Sequence, residues 1–203
     1  MMLSSVQCFN VMYNIQADHL QHFRSVTEYG TLASKRLAGK PFQKLIFLVR
    51  DSSNALGYGY HDGSRLVDEM VATNATNGDQ TADMFEMIRR IAERFDKIGV
   101  FLMPQPGMTV TQGHEFSGAV PDPEFQDCVK ELSHHLFAPE NLIFKQINGE
   151  RVRAGDLVQC IQAYVRVFNS NNLPDMDALL KATLEVIDSM LINECVKFYR
   201  LAI

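Results

Sequence analysis

The chain has 203 residues, 46% of them hydrophobic and 21% charged, with a formal net charge of -5 and a pI near 5.7. That length buries the core of one domain, or of one domain with an appendage, and the composition is that of a globular protein. An acidic balance supplies no broad positive field for gripping a phosphate backbone, so nucleic acid is not an expected partner.

The opening stretch MMLSSVQCFNVMYNIQAD lacks a basic n-region and a continuous apolar h-region, so it does not read as a signal peptide. Within it, residues 4 to 13 carry strand character. Asp18 with Gln21 three residues on has the form of a capping box. Leu20, Phe23, Val26, Gly30, Ala33 and Leu37 then keep one helical face apolar. The runs LIFLV at 45 to 49 and VFLM at 100 to 103 are nearly continuous, the pattern of parallel strands covered on both faces. Met84, Ile88, Ile91 and Phe95 make a second helical stripe between them.

Asp122 and Pro123 announce a third helix, an N-cap followed by proline at the first helical position. Phe125, Val129, Leu132 and Leu136 carry it to a stop at Pro139. Leu157, Ile161, Tyr164 and Phe168 form a fourth stripe, and Leu180, Leu184, Ile187 and Leu191 a fifth. Strands separated by amphipathic helices predict an α/β sheet, with helices taking over after about residue 122. NSNNLP at 169 to 174 reads as a linker, so the last helix is expected to open a separate unit. No apolar run of about 18 residues occurs, and Asp188, Glu194, Lys197 and Arg200 interrupt the C-terminal stretch, so no transmembrane segment is expected.

Several candidate chemistries have plain readings. Cys8, Cys128, Cys160 and Cys195 show no C-x-x-C spacing and read as reduced thiols. His134 and His135 point about 100 degrees apart on a helix and read as a half-exposed surface, and His19 with His22 as an unshared pair. Ser52 and Ser53 near His61 and Asp62 lack a G-x-S-x-G elbow. The methionines read as core filler.

Ligands of open α/β sheets sit beyond the carboxyl ends of the strands, which directs attention to two places. After LIFLV comes Arg50-Asp51; after VFLM comes the loop PQPGMTVTQG, residues 104 to 113. An aspartate at a strand end can accept two parallel hydrogen bonds from N1–H and the exocyclic amine of guanine, a donor pair adenine lacks. The neighbouring arginine offers a flat guanidinium and an aliphatic stem for packing near a base. From spacing alone, a core strand surfacing into water is the simpler reading of the pair.

The blocks QADHLQHFRSVTEYGTLA, KPFQKLIFLVRDSS, YGYHDG, VFLMPQPGMTV with EFSG, and INGERVRAGDLVQCIQAYVRVFNSNNLPDMDALLKAT occur in an order that resembles the later part of the atlastin GTPase domain. Atlastins are relatives of the guanylate-binding proteins in the dynamin superfamily, and the resemblance runs from about residue 4 to 185. It implies a partial P-loop-GTPase-like sheet flanked by helices, then the first helix of an α-helical middle domain. Residues 1–168 would be the C-terminal part of the GTPase domain, 169–174 the linker and 175–203 the start of the middle domain. It also implies that Arg50 and Asp51 are the guanine-specificity motif, that Pro104, Pro106 and Gly107 belong to the guanine cap, and that Val110 packs on the base.

The departures bear on chemistry. No G-x-x-x-x-G-K-[ST] loop is present: Gly39-Lys40 is followed by Pro41, and no glycine stands five residues before Gly39. A D-x-x-G match at Asp96 to Gly99 precedes the VFLM run instead of following a strand, and is set aside. The switch threonine and the phosphate-loop arginine have no counterpart, and Ser52 stands where atlastins usually carry tryptophan. The expectation is therefore a chain that takes GTP as ligand and reads guanine, with no assigned catalytic residue or metal ligand. Mg2+, hydrolysis, and tethering and fusion at the cytosolic face of the endoplasmic reticulum are implied for the complete family member, and a cytoplasmic location for this chain. Dimerisation through the GTPase domain is the implied partnership. The alternatives are a truncated, non-catalytic interaction module for an intact relative, or a reading frame whose first exons are missing. Loss of the phosphate-loop strand is expected to expose a sheet edge and lower solubility.

Overall fold

The structure, a computed structural model, describes residues 2–53, 57–72, 80–112, 120–170 and 175–202. Three parallel strands, β1 (Val6–Met12), β2 (Phe42–Arg50) and β3 (Phe95–Leu102), form a sheet in the order β1-β2-β3. The central strand explains the continuous apolar run: Phe42 to Phe47 and Val49 are all buried, because helices cover both faces. Register places Phe9 beside Phe47 and Phe47 beside Val100.

On one face, Leu45, Phe47, Val49, Val100 and Leu102 join a core with Leu20, Phe23, Tyr29 and Ala33. These come from α1 (Ala17–Gln21) and from the start and body of α2 (Arg24–Ala33). Phe9, Phe23 and Phe47 form an aromatic triangle, with ring centroids 4.8 Å, 5.7 Å and 6.0 Å apart. The opposite face buries Ile46, Phe101 and Met103. It is covered by α3 (Gly59–Ala72) and α6 (Pro123–Phe137), which follows α4 (Gln80–Ala92) and the short α5 (Met108–Thr111). Two glycines let α3 lie close: a Cβ on Gly63 would collide with the Val100 carbonyl, and one on Gly99 would sit 2.6 Å from the Tyr60 hydroxyl oxygen.

After α6 come a 3-10 turn, Pro139–Asn141, and an antiparallel ribbon of β4 (Gln146–Ile147) and β5 (Glu150–Arg151). The ribbon is tied to the sheet where Gln43 Nε2 donates to Gln146 O at 3.1 Å and Lys145 Nζ donates to Gln43 Oε1 at 3.1 Å. Burial lowers the Lys145 pKa to about 8. Two helices follow, α7 (Ala154–Phe168) and α8 (Met176–Ala202). The first half of α8 buries Leu179, Leu180, Ala182, Thr183, Val186 and Ile187 in the same core as α2 and α7, whereas residues 191–202 are exposed.

Several expectations shift. The strands are longer than the apolar runs, so Asp96 to Gly99 lies inside β3 and Phe95 opens that strand instead of closing a helix. Asp18 is not a cap: α1 begins after Gln16, whose backbone N–H donates to His19 Nδ1 at 3.3 Å. The apolar face of the first helical stretch is divided between α1 and α2. The buried line of α7 runs through Cys160, Ala163 and Tyr164, leaving Ile161 and Phe168 exposed, because α8 crosses it there. Val129 and Leu191 are likewise exposed. Asp122 is the N-cap of α6 with proline behind it, although its side chain makes no cap bond. Of the linker reading, residues 171–174 lie outside the described residues. Helix α3 and the ribbon carry no signal that the apolar periodicity registered.

A buried hydroxyl joins α2, α7 and α8. Thr183 Oγ1 donates to Leu179 O at 2.9 Å, and Tyr29 and Tyr164 hydroxyls lie 3.0 Å and 2.9 Å from it. A threonine hydroxyl has one proton and two lone pairs, so with its proton spent both tyrosines donate to it. Burial pushes both phenol pKa values up. Thr183→Val strands two phenol protons and is expected to cost roughly 1–3 kcal/mol for each. Urea unfolding should show that loss, with Thr183→Ser well below it.

Candidate functional site

The site is built where the three parallel strands end. Beyond β1, Tyr13 N–H donates to Arg50 O at 2.7 Å; beyond β3, Met103 N–H donates to Val49 O at 2.9 Å. Ser52 N–H then donates to Met103 O at 3.0 Å. Asp51 is therefore pinned from both sides, by the carbonyl before it and the amide after it. The chain turns there through the left-handed region, with φ of 53° at Asp51, a conformation aspartate tolerates better than most residues. Tyr13, its neighbour across the strand ends, is also left-handed, at φ 66°.

The arginine and the aspartate are not partners of each other. Arg50 Nε donates to Asn10 Oδ1 at 2.7 Å, across from β2 to β1. Met12 pairs with Arg50 in register, so Asn10, two residues earlier, shares its face and lies within reach. The half-buried Asp51 carboxylate has no hydrogen-bond or ion-pair partner among the described residues. A carboxylate with two open acceptor oxygens, beside a tethered guanidinium, can bind a pair of parallel N–H donors.

The second sequence candidate begins at the same place, since Met103 bonds to both Val49 and Ser52. Pro104 is buried, and Pro106, Gly107 and Val110 are half-buried. Gly107 has φ of 100°, which favours glycine, and a Cβ there would meet the Asp122 carboxylate. Asp122 N–H donates to Pro106 O at 3.0 Å, fastening the loop to the start of α6. Val110 lies in α5 with its N–H on Gly107 O at 3.2 Å. The strand ends thus bring together Arg50, Asp51 and Pro104, and α6 holds Pro106 and Gly107. The remainder of the loop, with Gly113 and EFSG, lies outside the described residues.

Asn10 is the site residue that sequence patterning missed. Nothing in a short mixed run marks it; only the parallel register to β2 places it beside Arg50. A larger cleft, about 960 Å³, lies elsewhere, between the ribbon, the start of α7 and the second half of α8. Among the described residues, no three His, Cys, Asp or Glu side chains group so as to hold a metal ion, and no helix is long and apolar enough to cross a membrane.

Comparison with known proteins identifies the family of the chain. Residues 1–146 match the family model described as guanylate-binding protein, N-terminal domain. Atlastin of Drosophila melanogaster is 40% identical over 188 residues, covering 91% of this chain and 34% of that protein. Atlastin-2 of Xenopus laevis is 37% identical and Atlastin-2 of Homo sapiens 36%, each over 91% of this chain and 32% of their own length. The chain thus spans about a third of the curated relatives it matches. With its parallel sheet and flanking helices, the chain belongs to the guanylate-binding protein family and is an atlastin-like portion of its GTPase-type domain.

Proposed function

We propose that this chain reads the base of a guanine nucleotide at the carboxyl ends of its strands. The observation that carries the reading is the half-buried Asp51 carboxylate, pinned in a left-handed turn and lacking a protein partner among the described residues. Its two oxygens take N1–H and the exocyclic amine of guanine, Arg50 packs nearby under the hold of Asn10, and Pro104, Pro106, Gly107 and Val110 cap the base. Leaving a polar group of such a site unpaired costs roughly 1–3 kcal/mol, which rejects adenine.

The phosphates are a separate matter. The sequence has no phosphate loop, and no residue described here is assigned to magnesium. Charge stabilisation at the phosphates supplies most of the rate in phosphoryl transfer, so the proposal for the residues present is limited to nucleotide recognition. Mg2+-dependent GTP hydrolysis, and membrane tethering from the cytosolic face of the endoplasmic reticulum, are proposed for the longer protein that a complete family member represents. Residues 1–168, 169–174 and 175–203 are proposed as GTPase-domain portion, linker and first middle-domain helix.

A second reading rests on α8, where Leu191, Ile192, Val196, Phe198, Tyr199 and Leu201 are exposed. Such a surface suits association with an intact relative, as a homo- or heterodimer. Pull-down of a full-length family member by this chain should be lost with charges at Ile192 and Phe198; no association at micromolar concentration would count against it.

For the base reader, titration of the 203-residue chain with fluorescent GDP is the direct measurement. Asp51→Asn replaces one acceptor with a donor and is expected to weaken guanine binding about 10- to 100-fold, shifting preference toward a xanthine nucleotide, whose C2 carries a carbonyl. Equal guanine affinity in the variant would refute the base reader, whereas brisk GTP hydrolysis by the unaltered chain would refute an assignment limited to recognition. Asn10→Ala should weaken guanine binding by only about fivefold, because it frees Arg50 and leaves Asp51 in place.

A further inference from the structure

Lys44 is buried, with 7% of its surface exposed, in the central strand, where its register neighbours are Val6 on β1 and Lys97 on β3. Its Nζ lies 2.7 Å from Nε2 of His135 on α6 and 5.3 Å from the centre of the Tyr60 ring on α3. His135 and Tyr60 are stacked, with ring centres 3.8 Å apart and planes at 27°. One contact thus touches three layers: strand, first covering helix and second covering helix. Of the histidine pair, His134 is exposed and His135 is half-buried, with its ring on the contact to Lys44 and Tyr60.

A hydrogen bond needs a lone pair, and an ammonium has none. Two cations cannot share a 2.7 Å nitrogen–nitrogen contact, so the pair carries at most one positive charge. With the charge on the lysine, Nε2 of His135 is the unprotonated nitrogen of a neutral ring. Adding a proton there replaces an attraction with a like-charge clash in a half-buried setting.

We propose that Lys44 and His135 form a proton-sensitive latch that fastens α6 to the sheet and releases when His135 takes up a proton. Burial first, and then Lys44, hold the His135 pKa below the usual histidine range; His134 adds to this and Glu131 opposes it. Burial and then Lys97 lower the Lys44 pKa, opposed by Cys8 of β1. Tyr60, the α3 side chain stacked on His135 and beneath Lys44, has its own pKa raised by burial. Glu131 also accepts the Tyr60 backbone N–H at 2.9 Å, so the same end of α3 depends on α6 staying in place.

The sign follows from the direction of the shift. The unfolded chain takes a proton on His135 first, near the ordinary value of 6.5. The latch therefore contributes fully above that pH and is lost as pH falls through the lower folded value. Lys44 also favours folding as pH rises, but in an alkaline window well away from this one.

The test uses the full 203-residue chain, with thermal melts from about pH 5 to about pH 8 at constant ionic strength. The unaltered chain should lose at least about 3 °C in Tm below pH 6.5 beyond any loss in His135→Gln, whose amide oxygen accepts from Lys44 without titrating. Lys44→Met should shrink the acid loss as well, because His135 then titrates closer to its unfolded value. Imidazole 15N shifts of the unaltered chain give an answer that needs no variant to fold: Nε2 should keep its lone pair to a pH below 6.5. His135 titrating at or above 6.5, or the same acid slope in all three chains, would overturn the latch.

Discussion

A central strand buried on both faces is the constraint from which the rest of this structure follows. β2 runs between two parallel partners, and its ladder is extended past both strand ends by the Tyr13, Met103 and Ser52 amides. Buried backbone polar groups must be paired, so the chain cannot simply stop at Arg50. It leaves by a single left-handed residue, Asp51, with pairing resumed at Ser52. The position that carries the open carboxylate is thus the one position where the ladder allows a change of direction.

The same constraint explains where polar side chains enter the core. Gln43, Lys44, Ser52 and Thr183 are the polar residues buried among those described, and three belong to β2 or its exit. Each is placed where a connection has to be made. Gln43 ties the ribbon to the sheet, Lys44 meets α6, and Thr183 gathers the hydroxyls of α2 and α7 against α8. A buried polar group without a partner is costly, so such contacts fix which helix lies where more sharply than apolar packing does.

Sequence patterning captured the parts of this scheme that depend on runs and periods. LIFLV and VFLM announced strands buried on both faces, and the residues after them lie together because parallel strands end together. Patterning failed where the deciding fact was a contact between distant residues. Asn10 looks like any polar residue in an edge strand until register brings it beside Arg50. His135 looks like a surface histidine until Tyr60 and Lys44 arrive from two other elements. Ile161 and Phe168 fit a helical stripe, yet the buried line falls through smaller Cys160 and Ala163, where α8 can approach. Whether Asp51 reads a base was also beyond spacing alone; the pair acquired that sense from the flanking family blocks, and its geometry from the turn.

The two ends of β2 are joined by one helix, and the lengths agree. From Lys44 to Arg50 the strand advances six residues, about 20 Å at 3.3 Å each. From Asp122 to His135 α6 advances 13 residues, about 20 Å at 1.5 Å each. Its start holds Pro106 of the candidate cap through the Asp122 amide, and its last turn holds Lys44 through His135. The apolar contacts along α6, Phe125, Cys128, Leu132 and Leu136 against Ile46, Phe101 and Met103, are non-directional and leave its register less sharply defined. Directional bonds at either end define it. The position of the candidate cap loop, Pro104 to Gly107, is therefore tied to a lysine–histidine contact a helix-length away as well as to the loop's own bonds.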